Sequence, residues 1–416
     1  MRTSEEPRPV TARSDAADGA GARGWRLSKR GGFWLVVFLV VTGLLGSYSL
    51  TPLYSVYQGR WHFSDLMLSV AFACYSLGTV VALLLFGSLS DRVGRRAAFA
   101  PALLGIAASM LVLMFAVNLP MLLVGRAAQG IFTGIVNGTA GAALMDLEPR
   151  GNRRTAAFAN STSIAAGSAL GPLIAGFLVA HVPMPTRTPY LLILVLLAVG
   201  LAGVALMPET VDRAHRAAGG GFRRLRMPDN RAVFVLACLG AISCSAGMAL
   251  FAEFGTQLAD QVHLNGASTG GLLVFVMFAA IGLVQVLLRR LGHLVSLVAG
   301  TVGTVVGWAG IVVALSAHLA VVLFIAAVVA GAGAGLAFMG ATAGVNHVAA
   351  PGRRAEAVSL YFVVLFLALA VPGIAGGALA QAIGLTGTAV VMLGVAAAIA
   401  VVTCAVSRIP RIARAL

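Results

Sequence analysis

The sequence predicts an all-α polytopic membrane protein, with twelve transmembrane helices in two pseudo-symmetric six-helix bundles. Three observations carry that expectation. Only 10% of the 416 residues are charged, 59% belong to the nine apolar types, and mean hydropathy is +0.95, more apolar surface than a soluble chain of this length can hide. Apolar runs of the ~20 residues needed to cross hydrocarbon recur along the whole chain. Basic residues crowd into every second connection between those runs.

The runs fall at 33–55, 67–88, 97–117, 120–145, 155–181, 189–207, 232–254, 268–288, 294–316, 319–346, 356–380 and 383–406. Their length, without dyad alternation, argues helices and not barrel strands. A net charge of +15 invites a nucleic-acid partner, but the placement of the charge rejects one. Of the 29 Lys and Arg residues, 26 lie in the two tails and in the loops on one side. Arg60 and Arg187 fall on the other side, and Arg126 lies within a span. This asymmetry predicts a multi-pass protein of the cell membrane with both termini cytoplasmic. A mis-parsed span would swap every later loop, so the bias supports the even number as well.

Residues 1–31 mix Arg with Glu5, Glu6, Asp15 and Asp18 and lack an apolar signal core; they read as a disordered cytoplasmic tail. The bundles are expected at 32–207 and 232–407. A basic linker, 208–231, joins them with Gly219-Gly220-Gly221 as its flexible part, and a short tail, 408–416, follows. The chain is written twice. Pro172-Leu173-Ile174-Ala175-Gly176 returns as Pro372-Gly373-Ile374-Ala375-Gly376, and Arg153-Arg154 as Arg353-Arg354, both 200 residues on. Arg92-Val93-Gly94-Arg95 is echoed 198 residues on by Arg290-Leu291-Gly292-His293. Two parallel halves suit rocking about a midplane cavity.

Between the second and third runs lies Gly87-Ser88-Leu89-Ser90-Asp91-Arg92-Val93-Gly94-Arg95-Arg96, one carboxylate among three guanidinium groups. The glycines permit turning, and an acid near a helix N-terminus is favoured by the dipole. With the doubled architecture, this stretch resembles the major facilitator superfamily, and within it the twelve-span drug:proton antiporters. It matches that family's loop motif (Gly-x-Leu-Ala-Asp-Arg-x-Gly-Arg-Lys/Arg), with Ser90 in place of Ala. The resemblance implies a cytoplasmic latch made by Gly87, Asp91, Arg92, Gly94, Arg95 and Arg96, in which Asp91 helps to hold the halves closed. The alternative is a solvated loop whose arginines only fix topology.

Span 4 places Arg126, Gln129, Gly130, Thr133 and Asn137 on one helical face. A guanidinium at that depth must face a cavity or a partner. Arg126-x-x-Gln129-Gly130 resembles the family's span-4 motif, which implies cavity lining and proton coupling. A structural arginine held by carbonyls and Gln129, or a packing seam of Gly130, Gly134 and Gly138, are the other readings. Span 5 carries Gly167, Gly171, Pro172 and Gly176, where the proline bends the helix and the glycines admit a neighbour. These resemble the exporter-type span-5 motif, with Phe158 in place of an upstream glycine and Ala175 in place of another; a general packing kink is the alternative.

Glu253, near the end of span 7, is the one acid placed to be embedded. It reads either as a proton-exchanging group or as a carboxylate wetted at the span's end. Span 1 has no acid, only Thr42, Ser47, Tyr48, Ser49 and Thr51. Tyr54, Tyr57 and Trp61 read as an interface belt, and Gly331, Gly333, Gly335, Gly340 and Gly344 as a close helix contact in span 10. Pro208-Glu209-Thr210 resembles a common family ending of span 6. His181, His263, His318 and His347 read as scattered near span ends. Cys74, Cys238, Cys244 and Cys404 all fall within spans, with no metal-ligand spacing. Lys29, the sole lysine, precedes Arg30, so no phosphate-binding loop exists.

The expectation is therefore a non-enzymatic secondary transporter without cofactor or metal. It would be a monomer in the lipid bilayer exporting a small amphipathic molecule, a drug or natural product, in exchange for protons. An importer of a small metabolite on the same fold is the nearest rival, and a polytopic membrane enzyme or sensor the remote one.

Overall fold

The structure, a computed structural model, describes residues 27–87, 89–210, 230–348 and 354–408, with the backbone alone at 89, 91, 354 and 355. The tail to residue 26, Ser88, the linker from 211 to 229 with its three glycines, Arg353 and the tail beyond 408 lie outside the described residues. Among the described residues the regular structure is entirely helical. Hydrocarbon offers the backbone no water, so each span must close its hydrogen bonds internally.

Span 1 runs Lys29–Tyr48 and resumes as Thr51–Trp61. Spans 2 to 6 are Asp65–Phe86, Arg95–Met114, Leu119–Leu147, Arg153–His181 and Thr188–Leu206. Spans 7 to 10 are Arg231–Gln261, Ala267–Leu287, His293–Ser316 and Ala320–Val348. Small polar residues start several of them. Asn118 accepts from the Met121 amide at 3.0 Å at the head of span 4, and Asn152 from the Arg154 amide at 3.0 Å at the head of span 5.

The last helical stretch, Arg354–Ser407, holds two spans. At Gly384 the backbone turns to φ 71 and ψ 171, a conformation open to glycine. A methyl group on Gly376 would lie 3.9 Å from Met392 Cε, whereas those positions would stand about 24 Å apart in one straight helix. The chain therefore doubles back, giving span 11 (354–383) and span 12 (385–407), and the twelve-span fold is complete.

Two boundaries differ from the hydropathy reading for physical reasons. Span 1 does not run unbroken to residue 55, because Pro52 has no amide to offer the carbonyl four residues back, and the helix restarts at Thr51. Span 7 does not stop near 254 but continues to Gln261. Hydropathy marks apolar thickness, while the polar residues of the added turns find partners on other spans.

Close packing rests on glycine faces. Gly300, Gly303 and Gly307 of span 9 lie against the backbone of span 10 at Ala337, Gly333 and Ala330. Gly340 meets the span 9 backbone at Leu297, while Gly331 and Gly335 turn to the carbonyls of Met277 and Ile281 on span 8. Span 10 thus presents glycines to two neighbours. Apolar residues such as Val321, Val124 and Leu287 are exposed on the outside of the bundle, as a lipid-facing surface requires. Between the halves, span 5 packs along span 8 and span 2 along span 11, and the restarted piece of span 1 rests on span 7.

The seam of spans 9 and 10 has no room for a side chain at Gly333, where a Cβ would meet the backbone of Gly303 and Thr304. Gly333→Val is expected to cost about 1–3 kcal/mol by overpacking, read as a lower melting temperature of the solubilised protein. Gly394→Val, where a Cβ meets nothing within 4 Å, should leave it unchanged.

Candidate functional site

The loop before span 3 forms a single helical turn, Leu89–Val93, then Gly94 at φ 101. Only glycine adopts that angle without strain, and it points the next residue inward. Arg95 is accordingly buried. Its Nη1 donates to Ser90 Oγ at 2.8 Å and its Nε to Asp146 Oδ2 at 3.1 Å, at the end of span 4. The Arg95 amide donates to Glu209 Oε1 at 2.9 Å, and Thr210 Oγ1 donates to Asp146 Oδ2 at 3.2 Å. These bonds tie the loop to the ends of spans 4 and 6 within the first half. Gly87, Arg92 and Arg96 are exposed, and the side chain of Asp91 lies outside the described residues. In the sequence Glu209 belongs only to the Pro208-Glu209-Thr210 ending and Asp146 is not singled out; the signal for both is an acid at the end where the arginines gather.

On span 4, Arg126, Gln129 and Thr133 are fully buried. Arg126 Nη1 donates to the Ser47 carbonyl at 3.1 Å and to Gln129 Oε1 at 2.6 Å, and its guanidinium lies 4.6 Å from the Tyr75 ring centre. It thereby joins spans 1, 2 and 4. Arg126 Nε and Nη2, Gln129 Nε2, Thr133 Oγ1 and Asn137 Oδ1 have no partner among the described residues. Gly130 does not line a cavity. It packs on the Tyr75 carbonyl, and Gly134 packs on Thr79 and Ala82, so these two form a seam with span 2. A Cβ on Gly138 would meet nothing within 4 Å, which leaves it outside that seam.

The span-5 glycines work on two sides. Gly167 and Gly171 face the Val41 and Leu45 carbonyls of span 1, while Gly176 and the Pro172 carbonyl meet Ala267 and Gly271 of span 8. The stretch is a wedge between the halves. Toward the basic end, the Phe158 ring lies 5.9 Å below the Arg289 guanidinium. Beside it a cavity of about 190 Å³ opens between spans 5, 8 and 10, with Ser161, Thr162, Gln285 and Met339 in its wall.

Glu253 is not wetted at a span end: it is 1% exposed. Ser69 of span 2 donates to its Oε2 at 2.5 Å, and Oε1 has no partner among the described residues. Around it the halves are bonded to each other. Thr51 Oγ1 donates to the Ala252 carbonyl at 2.8 Å, Gln257 Nε2 to Gln58 Oε1 at 2.7 Å and Asp65 Oδ1 at 3.3 Å, and Ser268 Oγ to the Gly176 carbonyl at 3.3 Å. All these cross-half bonds lie toward the end opposite the basic loops, which we call the far end.

Two other expectations are corrected. Tyr54 and Tyr57 are core residues and not an interface belt, at 1% and 2% exposure; the Tyr57 and Tyr190 hydroxyls are hydrogen-bonded at 2.9 Å. Three of the four histidines singled out are paired and not scattered, while His181 stacks on Phe177 with ring centres 4.6 Å apart. His263 and His318 have ring centres 5.2 Å apart at the far end, and His293 and His347 5.4 Å apart at the basic end. Helix ends distant in sequence are neighbours in the bundle.

With this geometry in hand, comparison with known proteins is informative. A 147-residue stretch is 34% identical to the multidrug resistance protein MdtG of Proteus mirabilis, covering 35% of this chain and 36% of that protein. A 145-residue stretch is 28% identical to the staphyloferrin B transporter of Staphylococcus aureus, covering 34% of each. A 118-residue stretch is 34% identical to the class H tetracycline resistance protein of Pasteurella multocida, covering 27% of this chain and 29% of that protein. The matched stretches thus span about a third of these relatives' length. Over the whole bundle, a bacterial homologue of the human lysosomal transporter Spinster, inward-facing and unoccupied, superposes with a TM-score of 0.74 at 14% identity, covering 93% of this chain and 98% of that one. The human organic anion transporter MFSD10 superposes with a TM-score of 0.65 at 16% identity, over 91% and 100% of the two chains. The family model of the Major Facilitator Superfamily matches residues 33–314, most of the chain, and the protein therefore belongs to that superfamily of membrane transporters.

Proposed function

We propose that this protein is a secondary active transporter that exports small amphipathic molecules, drugs or natural products, in exchange for protons by alternating access. The observation that carries the reading is Glu253, a carboxyl group buried between the halves and hydrogen-bonded across them. An embedded acid is costly and marks an ion pathway by default. The positive-inside bias puts the basic end in the cytoplasm, so the bonded far end is external. The cavity walled by Phe158, Ser161, Thr162, Gln285 and Met339 lies toward the basic end, the side from which an exported molecule enters. Its wall mixes apolar, hydroxyl and amide groups, and its volume of about 190 Å³ is below the roughly 300 Å³ of a full ligand pocket, so it marks the way in and not the whole binding site. The multidrug and tetracycline resistance relatives favour export, as does the span-5 wedge of Gly167, Gly171, Pro172 and Gly176.

In this mechanism Arg126 keeps spans 1, 2 and 4 together while its field reaches Glu253. The Asp91 loop, acting with Arg92 and Arg95, holds the cytoplasmic side when it closes. Only the halves move; the Arg95–Asp146 network travels with the first half as one body.

Everted membrane vesicles given a fluorescent drug in the surrounding medium test the whole reading. Uptake is expected to follow the proton gradient and to stop when the gradient collapses; uptake that ignores collapse overturns the coupling, and flux in the opposite sense makes the protein an importer. Asp91→Asn is expected to slow turnover about tenfold or more with substrate affinity nearly unchanged, because a latch affects interconversion and not binding; turnover equal to the unsubstituted protein's removes the latch. Arg126→Ala is expected to abolish gradient-driven transport, since it releases the Ser47 carbonyl and Gln129 together and leaves them buried without a donor. Uptake that still tracks the gradient in that variant refutes the role given to Arg126.

A further inference from the structure

Glu253 is enclosed by parts of both halves. From its own half, Gly373 of span 11 lies so close that a Cβ there would stand 2.5 Å from Glu253 Oε1. From the other half comes Ser69, whose hydroxyl donates to Oε2 at 2.5 Å. One turn nearer the far end, Gly377 packs on Ser69 and on the Asp65 carbonyl, and Gln257 bonds to Gln58 and Asp65. The titratable groups in reach of Glu253 are Arg126 from span 4 and Tyr54 from span 1, with Asp65 on span 2 bonded to Gln257 one turn away. Span 11 contributes the bare glycine.

A carboxylate anion has about four acceptor sites and needs several donors when water is excluded. Among the described residues one donor is in place, Ser69, and Oε1 has none. The enclosure therefore suits the neutral acid, which carries no charge to be solvated and asks for fewer donors than the anion. Separation of Ser69 from Glu253 would admit water to the carboxyl and let the anion form.

We propose that Ser69, Glu253 and Gly373 form a proton-binding site shared by the two halves, and that proton uptake at Glu253 locks the far end shut. The proton comes from the water on the far side and adds to the carboxylate, and no other bond forms or breaks. Ser69 and Gly373 are positioning residues: the first bridges to the opposite half, and the second leaves the space the carboxyl occupies. The inference rests on the proton-exchange reading above and adds where the proton binds and what it closes.

The test reads conformation without substrate or gradient. Nitroxide labels go on His62→Cys at the far end of span 1 and Asn265→Cys beyond span 7, both exposed, in a background with the four native cysteines replaced. Distances between them are measured by pulsed electron resonance in lipid nanodiscs across about pH 5.5 to about pH 8.5, a range in which one coupled proton changes the population ratio by up to about tenfold per pH unit. A short distance is expected at low pH, with a longer population growing as pH rises. Glu253→Gln should hold the short distance at every pH. Gly373→Ala, which displaces the carboxyl, should favour the long one. Ser69→Ala, a mild substitution that keeps the fold, should enlarge the long population at low pH. A distribution indifferent to pH, or a Glu253→Gln protein that follows pH as the unsubstituted chain does, overturns the lock. A chain that passes the vesicle test and ignores pH here loses only the lock; one that closes with pH yet shows no gradient-driven export loses only the exporter reading.

Discussion

Everything in this bundle depends on one constraint: a polar group inside hydrocarbon must find its partner on the protein. The break in span 1 shows the consequence most directly. Pro52 interrupts the backbone ladder, and this is the region where other elements converge. Arg126 reaches the Ser47 carbonyl just before the break, and Thr51 just after it donates to the Ala252 carbonyl of the opposite half. A defect that would be fatal in isolation becomes the point where three spans of the first half meet span 7. The glycine seams are the other side of the same constraint. Helices without a hydrophobic driving force between them gain by close approach, so the partners are near enough to bond.

The sequence was legible where membrane physics makes rare residues stand out. Span number, the two-fold repeat, the buried Arg126 and the span-5 proline could be read because charge and proline are scarce in long apolar runs. Helix faces were harder. Gly130 shares a helical side with Arg126 and Gln129, yet it packs against Tyr75, since a 100° period locates a stripe and not which neighbour covers it. From the sequence Glu253 reads more readily as wetted, because hydropathy places the edge of span 7 too early; the turns beyond it are polar but their side chains bond to span 2 and span 1. The histidine pairs and the Arg95–Asp146–Glu209 network join positions far apart in the chain. No local pattern reports such meetings.

The two ends of the molecule are built on different principles. At the basic end, the described bonds of the loop before span 3 stay inside the first half, stiffening it. At the far end, the bonds run between halves. The proposed rocking of one half against the other would break the Thr51, Ser69 and Gln257 contacts, while the bonds from Arg95 to Ser90 and Asp146 lie within one half. The span 5–8 wedge lies between, with glycines facing each other across it.

The internal repeat sharpens what is special about Glu253. At the 200-residue offset of the proline motif, Glu253 corresponds to Leu53 and Gly373 to Leu173. Both first-half positions are apolar and bulky. In the second half one carries the acid and the other has lost its side chain, and these two residues touch. An acid alone would find no room beside a leucine, and a glycine alone would leave a void that costs packing. The two departures from symmetry make sense only together, and together they put a single ionisable group on one side of a pseudo-two-fold axis.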